Sequence, residues 1–245
     1  MLKLLVTGIS GRMGQAVRDA AAAEPAVEVA ATHDAGLDLE EPIAAVDCVI
    51  DFTVHSFTPE LLAAAAAHST RLVIGTTGHD EAEREAIRQA AQSLPIVFAP
   101  NYSVGVNTLF WLTAHAARIL GNERFNLEVV EMHHRHKIDA PSGTARRLLE
   151  ILARETGASL DEDVAHGRVG LIGERPPRQI GMHTLRGGDV VGEHTVLFAA
   201  DGERLELTHK ASSRLNFAGG AVRAALWLSE QPPGLYDMQD VLGLK

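Results

Sequence analysis

The residues best suited to chemistry stand in one run, Glu131-Met132-His133-His134-Arg135-His136-Lys137-Ile138-Asp139-Ala140-Pro141-Ser142-Gly143-Thr144. An imidazole holds a transferable proton near neutral pH, which suits a reaction that protonates a carbon or nitrogen after hydride delivery. Lys137 adds a compact positive charge for a carboxylate. Ser142 stands where a helix N-cap belongs, with Gly143 and Thr144 opening the helix behind it. Such an end binds anions through backbone N–H groups and short hydroxyls. One lysine and one helix N-terminus together suit a substrate with carboxylate groups. If the preceding strand continues through the run, alternation places His133, Arg135 and Lys137 on one side and His134 and His136 on the other. Two plainer readings stand beside this one: His134 and His136 as metal ligands, or the cluster as solvated loop. No cysteine is near and the acids fall at no familiar ligand spacing, so no metal is expected. For Arg135 and His136 the solvated reading stays as open as the functional one.

A second constellation lies at the N-terminus, where Gly8, Gly11 and Gly14 separate an apolar run, residues 2–7, from an Ala-rich helix reaching about Ala23. A dinucleotide site needs glycines there for a tight turn, close approach of backbone to pyrophosphate, and close helix–strand packing. The helix N-terminus then offers its free N–H groups to the phosphates. The spacing is G-x-x-G-x-x-G, with Ser10 and Met13 where the commoner pattern has glycine, so the loop alone also fits a turn that binds nothing. Asp34 falls 20 residues after Gly14, at the end of the second strand, where a carboxylate accepts hydrogen bonds from the adenosine ribose. The alternative is a solvated loop acid like Asp38, Glu40 and Glu41 nearby. No Lys or Arg lies between Thr32 and Glu41, so a 2′-phosphate meets little positive charge. A preference for NADH over NADPH is expected, with Arg12 the residue able to reverse it.

The elements that must position these residues follow from the hydrophobic pattern. Strands are expected over residues 2–7, 27–32, 48–53, 71–74 and 96–99, alternating with helices over 59–68 and 81–92. That alternation implies a Rossmann-type α/β domain, a doubly wound parallel sheet. After Asn101 the texture changes. A helix over 107–120, a strand over 127–132 and a helix over 143–155 precede three strand-like runs between 179 and 210. Gly187-Gly188-Asp189 and Asp201-Gly202-Glu203 separate those runs and carry turn signals of the hairpin kind. The second half therefore reads as an α+β domain on a mixed, largely antiparallel sheet. A helix over 219–229 returns to the Ala-rich style.

Composition narrows the partners. Of 245 residues, 46% are hydrophobic and 22% charged, as in ordinary globular proteins. The 22 Lys and Arg against 32 Asp and Glu leave a net charge of −10 and no basic run, which argues against nucleic acid. Cys48 is the one cysteine, set in an apolar run, so it reads as a buried core residue in a chain suited to a reducing compartment. The N-terminus enters a strand without a signal-peptide layout, and no apolar stretch reaches ~18 residues. A cytoplasmic location without membrane contact is expected.

Six segments occur together and in order. They are Gly8-x-x-Gly11-Arg12-Met13-Gly14, Asp51-Phe52-Thr53, Gly75-Thr76-Thr77-Gly78, Asn101-Tyr102-Ser103-Val104-Gly105-Val106-Asn107, Glu131 through Thr144, and Thr208-His209-Lys210-Ala211-Ser212-Ser213-Arg214. In these the chain resembles, over essentially its whole length, the 4-hydroxy-tetrahydrodipicolinate (dihydrodipicolinate) reductase family of diaminopimelate and lysine biosynthesis. The resemblance implies hydride transfer from NAD(P)H to C4 of the cyclic substrate, a small dicarboxylate, with loss of water. It implies His133 as general acid/base and Lys137 as its partner in proton donation and substrate polarisation. His134, Gly143 and Thr144, adjoined by Ser142, match substrate-binding positions. Gly8, Ile9, Ser10, Gly11, Arg12, Met13, Asp34, Thr53, Gly75, Thr76, Thr77, Ala99, Pro100, Asn101 and Tyr102 match cofactor contacts. Residues 1–103 and 215–245 would form the dinucleotide-binding domain, and 104–214 a substrate-binding and oligomerisation domain assembling a homotetramer through its sheet. Three departures stand out. Ala35 and Val54 replace basic residues common in the family, which weakens any case for NADPH, and the 36–45 stretch is short enough to have lost a peripheral element. Two other readings compete: an aspartate-type amino or imino acid dehydrogenase, and an NADH-sensing module without turnover.

Overall fold

Residues 4–6, 48–50, 72–74 and 96–97 are apolar without alternation, the pattern of strands covered on both faces. A computed structural model describes residues 1–245 and places these runs in the first of two units, Met1–Val104 with Arg214–Lys245. Six parallel strands, β1 (Leu2–Thr7), β2 (Val27–His33), β3 (Cys48–Asp51), β4 (Arg71–Ile74), β5 (Pro95–Phe98) and β11 (Gly234–Tyr236), lie in the order β11-β5-β4-β3-β1-β2. Successive side chains face opposite layers. Leu4, Val6, Cys48, Ile50, Val73 and Val97 join helices α1 (Arg12–Ala22) and α7 (Leu215–Leu228) in one core. Leu5, Val49, Leu72, Ile74 and Ile96 join α2 (Glu40–Ala44), α3 (Thr58–His68) and α4 (Glu81–Ala90) in the other. Each fully buried Leu or Ile contributes about 1.5–3 kcal/mol of transfer free energy. Burial pushes the Cys48 thiol up to about 12, so it is an inert core residue.

Two expectations about this unit change. The last long helix begins at Leu215 rather than 219, because Gly219-Gly220 reads as a break but lies inside the helix, with Gly220 serving packing. A Cβ on Gly220 would lie 1.7 Å from the Tyr102 carbonyl oxygen, so only glycine lets α7 approach that loop. The 36–45 stretch keeps one helical turn, α2. The edge strand β11 and the short α8 (Met238–Val241) are too brief to register as a periodic pattern.

The second unit, Gly105–Ser213, carries a five-stranded sheet of β6 (Asn126–His133), β7 (Val164–His166), β8 (Ile180–Arg186), β9 (Gly192–Ala200) and β10 (Glu203–Ala211), ordered β10-β9-β6-β8-β7. The turn at 201–203 makes a true hairpin between β9 and β10. Gly187-Gly188-Asp189 does not. β6 inserts between β8 and β9, parallel to the first and antiparallel to the second. The 187–190 segment instead crosses the end of β6, where the Gly187 amide donates to the His133 carbonyl at 2.9 Å and the His134 amide donates to the Val190 carbonyl at 2.7 Å. β6 takes the centre because Leu127 and Val129 are fully buried against α5 (Val104–Leu120) and α6 (Gly143–Thr156). No helix of the chain is long and apolar enough to cross a membrane.

Candidate active site

In the first unit, the expected cofactor residues gather at the carboxyl ends of the parallel strands, where an open α/β sheet binds its ligands. The turn after β1 uses Gly8 at φ +63°, and the Gly11 amide donates to the Gly8 carbonyl at 2.9 Å. A Cβ on Gly14 would fall 2.2 Å from the Gly8 oxygen, so that glycine lets α1 pack onto the loop. Gly11 is the N-cap of α1 and has no side chain to occupy the amides of the first turn. Asp34, just past β2, accepts from the Ser10 amide at 3.2 Å and the Ser10 hydroxyl at 3.1 Å. Ile9, Arg12 and Met13 complete the loop, with Arg12 exposed.

Sequence reasoning missed what ties the strand ends together. Asp51, fully buried at the end of β3, accepts from the hydroxyls of Thr7 at 2.6 Å, Thr53 at 2.7 Å and Thr76 at 2.6 Å. The Thr76 hydroxyl also accepts from the Thr53 amide at 2.8 Å. A buried carboxylate without a cation is tolerable because three donors satisfy it. The Thr53 and Thr76 hydroxyls are therefore turned to Asp51. Gly75 leaves room for the Phe52 ring, 2.1 Å from where its Cβ would be, and Thr77 is exposed beside it. Ala99, Pro100 and Asn101 follow β5, whereas Tyr102 is 1% exposed and donates its hydroxyl to the carbonyls of Ile74 and Val97. What Tyr102 can present to a ligand is backbone.

In the second unit, β6 ends at His133, and the next residues turn rather than alternate; the Lys137 amide donates to the His134 carbonyl. The expected two-sided display of residues 133–137 is overturned because the 187–190 segment folds the chain over at this point. His133 is buried, His134 and Lys137 half-buried, and Arg135 and His136 exposed. His133 Nδ1 lies 2.5 Å from Glu131, whose side chain is fully buried. Arg186 of β8 donates to both Glu131 oxygens, at 2.9 and 3.0 Å, and the Ser142 amide adds a third donor at 3.1 Å. Burial alone would raise the Glu131 carboxyl, yet Arg186, His133 and the Ser142 amide hold it below its ordinary value. Burial lowers His133 despite the neighbouring carboxylate.

Ser142 caps α6 by accepting from the Ala145 amide at 3.2 Å, and its hydroxyl also meets His194 Nε2 at 3.0 Å. Being 2% exposed, it holds the helix end rather than presenting a hydroxyl. Gly143 is exposed, with open space where a Cβ would be, and Thr144 follows. His194, packed edge-on against His133 at 5.1 Å, is lowered to about 3 by burial first and His133 second, so it stays neutral. Lys137 pairs with Asp139 at 2.8 Å, and His134 Nδ1 is buried without a partner. Glu131, Arg186 and His194 had no role in the sequence reading. Only Glu131 left a signal, two residues before His133 on one strand face.

No group of three or more His, Cys, Asp or Glu is placed to hold a metal ion. The arrangement can present an imidazole proton and an ammonium beside a helix end able to bind anions.

Comparison with known proteins gives concordant matches. The family model described as dihydrodipicolinate reductase, N-terminus, matches residues 2–102, and that described as dihydrodipicolinate reductase, C-terminus, matches residues 105–242. A 4-hydroxy-tetrahydrodipicolinate reductase from Akkermansia muciniphila is 63% identical, over 100% of this chain and 99% of that protein. One from Laribacter hongkongensis is 49% identical, with the same coverage. In fold, the chain is similar to a dipicolinate-bound dihydrodipicolinate reductase from Paenisporosarcina sp. TG-14, with TM-score 0.82, 23% identity and 98% of each chain covered.

Proposed function

The chain belongs to the dihydrodipicolinate reductase family, and from that premise we propose how its residues carry the reaction. It is an oxidoreductase that reduces 4-hydroxy-tetrahydrodipicolinate to tetrahydrodipicolinate with NAD(P)H, in diaminopimelate and lysine biosynthesis. The reading assigns dinucleotide binding to residues 1–103 and 215–245, and substrate binding with assembly to residues 104–214.

The turn formed by Gly8, Gly11 and Gly14 suits a pyrophosphate, because Gly14 lets α1 pack close behind the loop and the uncapped amides of α1 suit phosphate oxygens. Asp34 takes the ribose hydroxyls, and its charge, with no Lys or Arg from 33 to 40, favours NADH while NADPH serves less well. Ile9 to Met13, Thr53, Gly75 to Thr77 and Ala99 to Tyr102 line the same strand ends. A nicotinamide cofactor held there would supply a hydride to substrate C4, with the C4 hydroxyl lost as water.

In the second unit the substrate's carboxylates engage Lys137 and the α6 end at Gly143 and Thr144, with Ser142 holding that end in place. His134 offers its unpartnered Nδ1. His133 gives up the proton as general acid, and Lys137 polarises the substrate beside it. The outer face of this unit's sheet, with half-buried Val130, Met132, Thr195 and Leu197, supports assembly as a homotetramer. The one buried cysteine fits the cytoplasm.

The observation that carries this reading is a buried imidazole, His133, at a strand end beside Lys137 and the N-terminus of α6. The test couples the protein to dihydrodipicolinate synthase and follows NADH absorbance with freshly generated substrate. Substrate-dependent NADH loss is expected; none with either NADH or NADPH would overturn the assignment.

A further inference from the structure

Of the two buried carboxylates, Asp51 and Glu131, only Glu131 touches the proton-transfer group. We propose that Glu131, clamped by Arg186, is a positioning residue for His133: it takes the Nδ1 proton inward and leaves Nε2 as the atom through which the imidazole exchanges protons. This deepens the reading of His133 as general acid and rests on it.

Residues 131 and 133 share the inner face of β6, and Arg186 is the register partner of His133 on β8. Glu131 therefore receives the imidazole from along its own strand, the guanidinium from the next strand and the Ser142 amide from the start of α6. An ionised carboxylate only accepts, so in the neutral ring the hydrogen of the 2.5 Å contact belongs to Nδ1. Nε2 faces Gly192, where a Cβ would lie 3.0 Å away, so glycine keeps that atom uncovered. The His194 ring, edge-on, limits rotation of the imidazole. The charged and titratable groups facing His133 are Glu131 on β6, Arg186 on β8, His194 on β9 and Lys137 in the following loop. Of these, Glu131 alone favours the imidazolium.

The step balances. The imidazolium breaks its Nε2–H bond, the proton goes to the substrate atom left basic by reduction, and the neutral ring keeps its Nδ1 proton on Glu131. Water then reprotonates Nε2.

The test is ¹⁵N-histidine long-range NMR at pH 8, with the His133 signal assigned by its loss in His133→Gln. The expected result is the Nδ1–H tautomer in the unaltered protein; Glu131→Gln keeps an acceptor oxygen for that hydrogen but removes the charge. That variant should lose kcat at least about ten-fold while NADH affinity holds. Its pH profile should also move, the descending limb of kcat shifting to lower pH because the imidazolium has lost its anion. An Nε2–H tautomer in the unaltered protein, or an unmoved profile in folded Glu131→Gln, would overturn the proposal. If Glu131→Gln fails to fold, the tautomer of the unaltered protein decides. Because that measurement needs no turnover, its outcome is separate from the success or failure of the assigned reaction.

Discussion

His133 is buried, which favours the neutral ring, whereas the acid role proposed for it requires the ring to carry a proton. Lys137 is similarly divided, since Asp139 holds the ammonium that the proposed role gives to a substrate carboxylate. If both act on the reacting molecule, His133→Gln and Lys137→Ala should each lower kcat about 100-fold or more while NADH binding by calorimetry stays near that of the unaltered protein. Unchanged turnover in either variant would remove that residue from the mechanism. Cofactor choice belongs to the same scale. Ala35 follows Asp34 without a basic group, so Ala35→Arg should raise kcat/KM with NADPH relative to NADH by about ten-fold, the value of one charge-assisted contact. An unmoved ratio would put the discrimination elsewhere, with Arg12 the next residue to test.

At the scale of elements, one carboxylate gathers the basic side chains of the segment 167–179 onto the sheet, beside the bonds from Arg175 to Asn126 and the Leu127 carbonyl. Glu128, on the face of β6 opposite Glu131, accepts both prongs of Arg168 at 2.8 and 3.0 Å, Arg175 at 3.1 Å and His183 at 2.7 Å. Gly181 makes room, since its Cβ would lie 1.8 Å from a Glu128 oxygen. Burial would raise this carboxyl, but Arg168, His183 and Arg175 draw it from 4.5 down to about 2. The staple therefore contributes fully above pH about 4.5 and is lost as pH falls toward 2. Glu128→Gln at pH 7 should loosen the segment, with at least about ten-fold faster amide exchange over 167–179 and little change in β6. Uniform exchange across the unit would count against a local staple.

At the scale of the whole molecule, two units of different architecture share one chain, and the first is completed by residues after Arg214. The proposed homotetramer would use the sheet face opposite α5 and α6, where Thr195 and Thr208 meet across β9 and β10 at 3.0 Å. A Thr195→Arg/Thr208→Arg pair would place like charges on that face. If the unaltered protein sediments as the proposed tetramer, this pair should sediment as a smaller species. A tetramer that survives the pair would place assembly on another surface.

Much was legible in the residues themselves because its cause is local. Uninterrupted apolar runs alternating with helical ones can only be parallel strands buried on both faces, and the glycines at 8, 11 and 14 answer to a turn a few residues wide. The run from Glu131 to Thr144 carries its chemistry in residue type. What remained hidden depends on contacts between distant segments. Gly187-Gly188-Asp189 looks like a hairpin until β6 claims the place between β8 and β9. Asp51 draws in hydroxyls from the ends of β1, β3 and β4, and Glu131 meets a guanidinium 55 residues away. Sequence spacing determined which groups could hold a proton or an anion. Strand order decided which carboxylate each would face, because a buried charge is tolerable only where the fold brings donors to it.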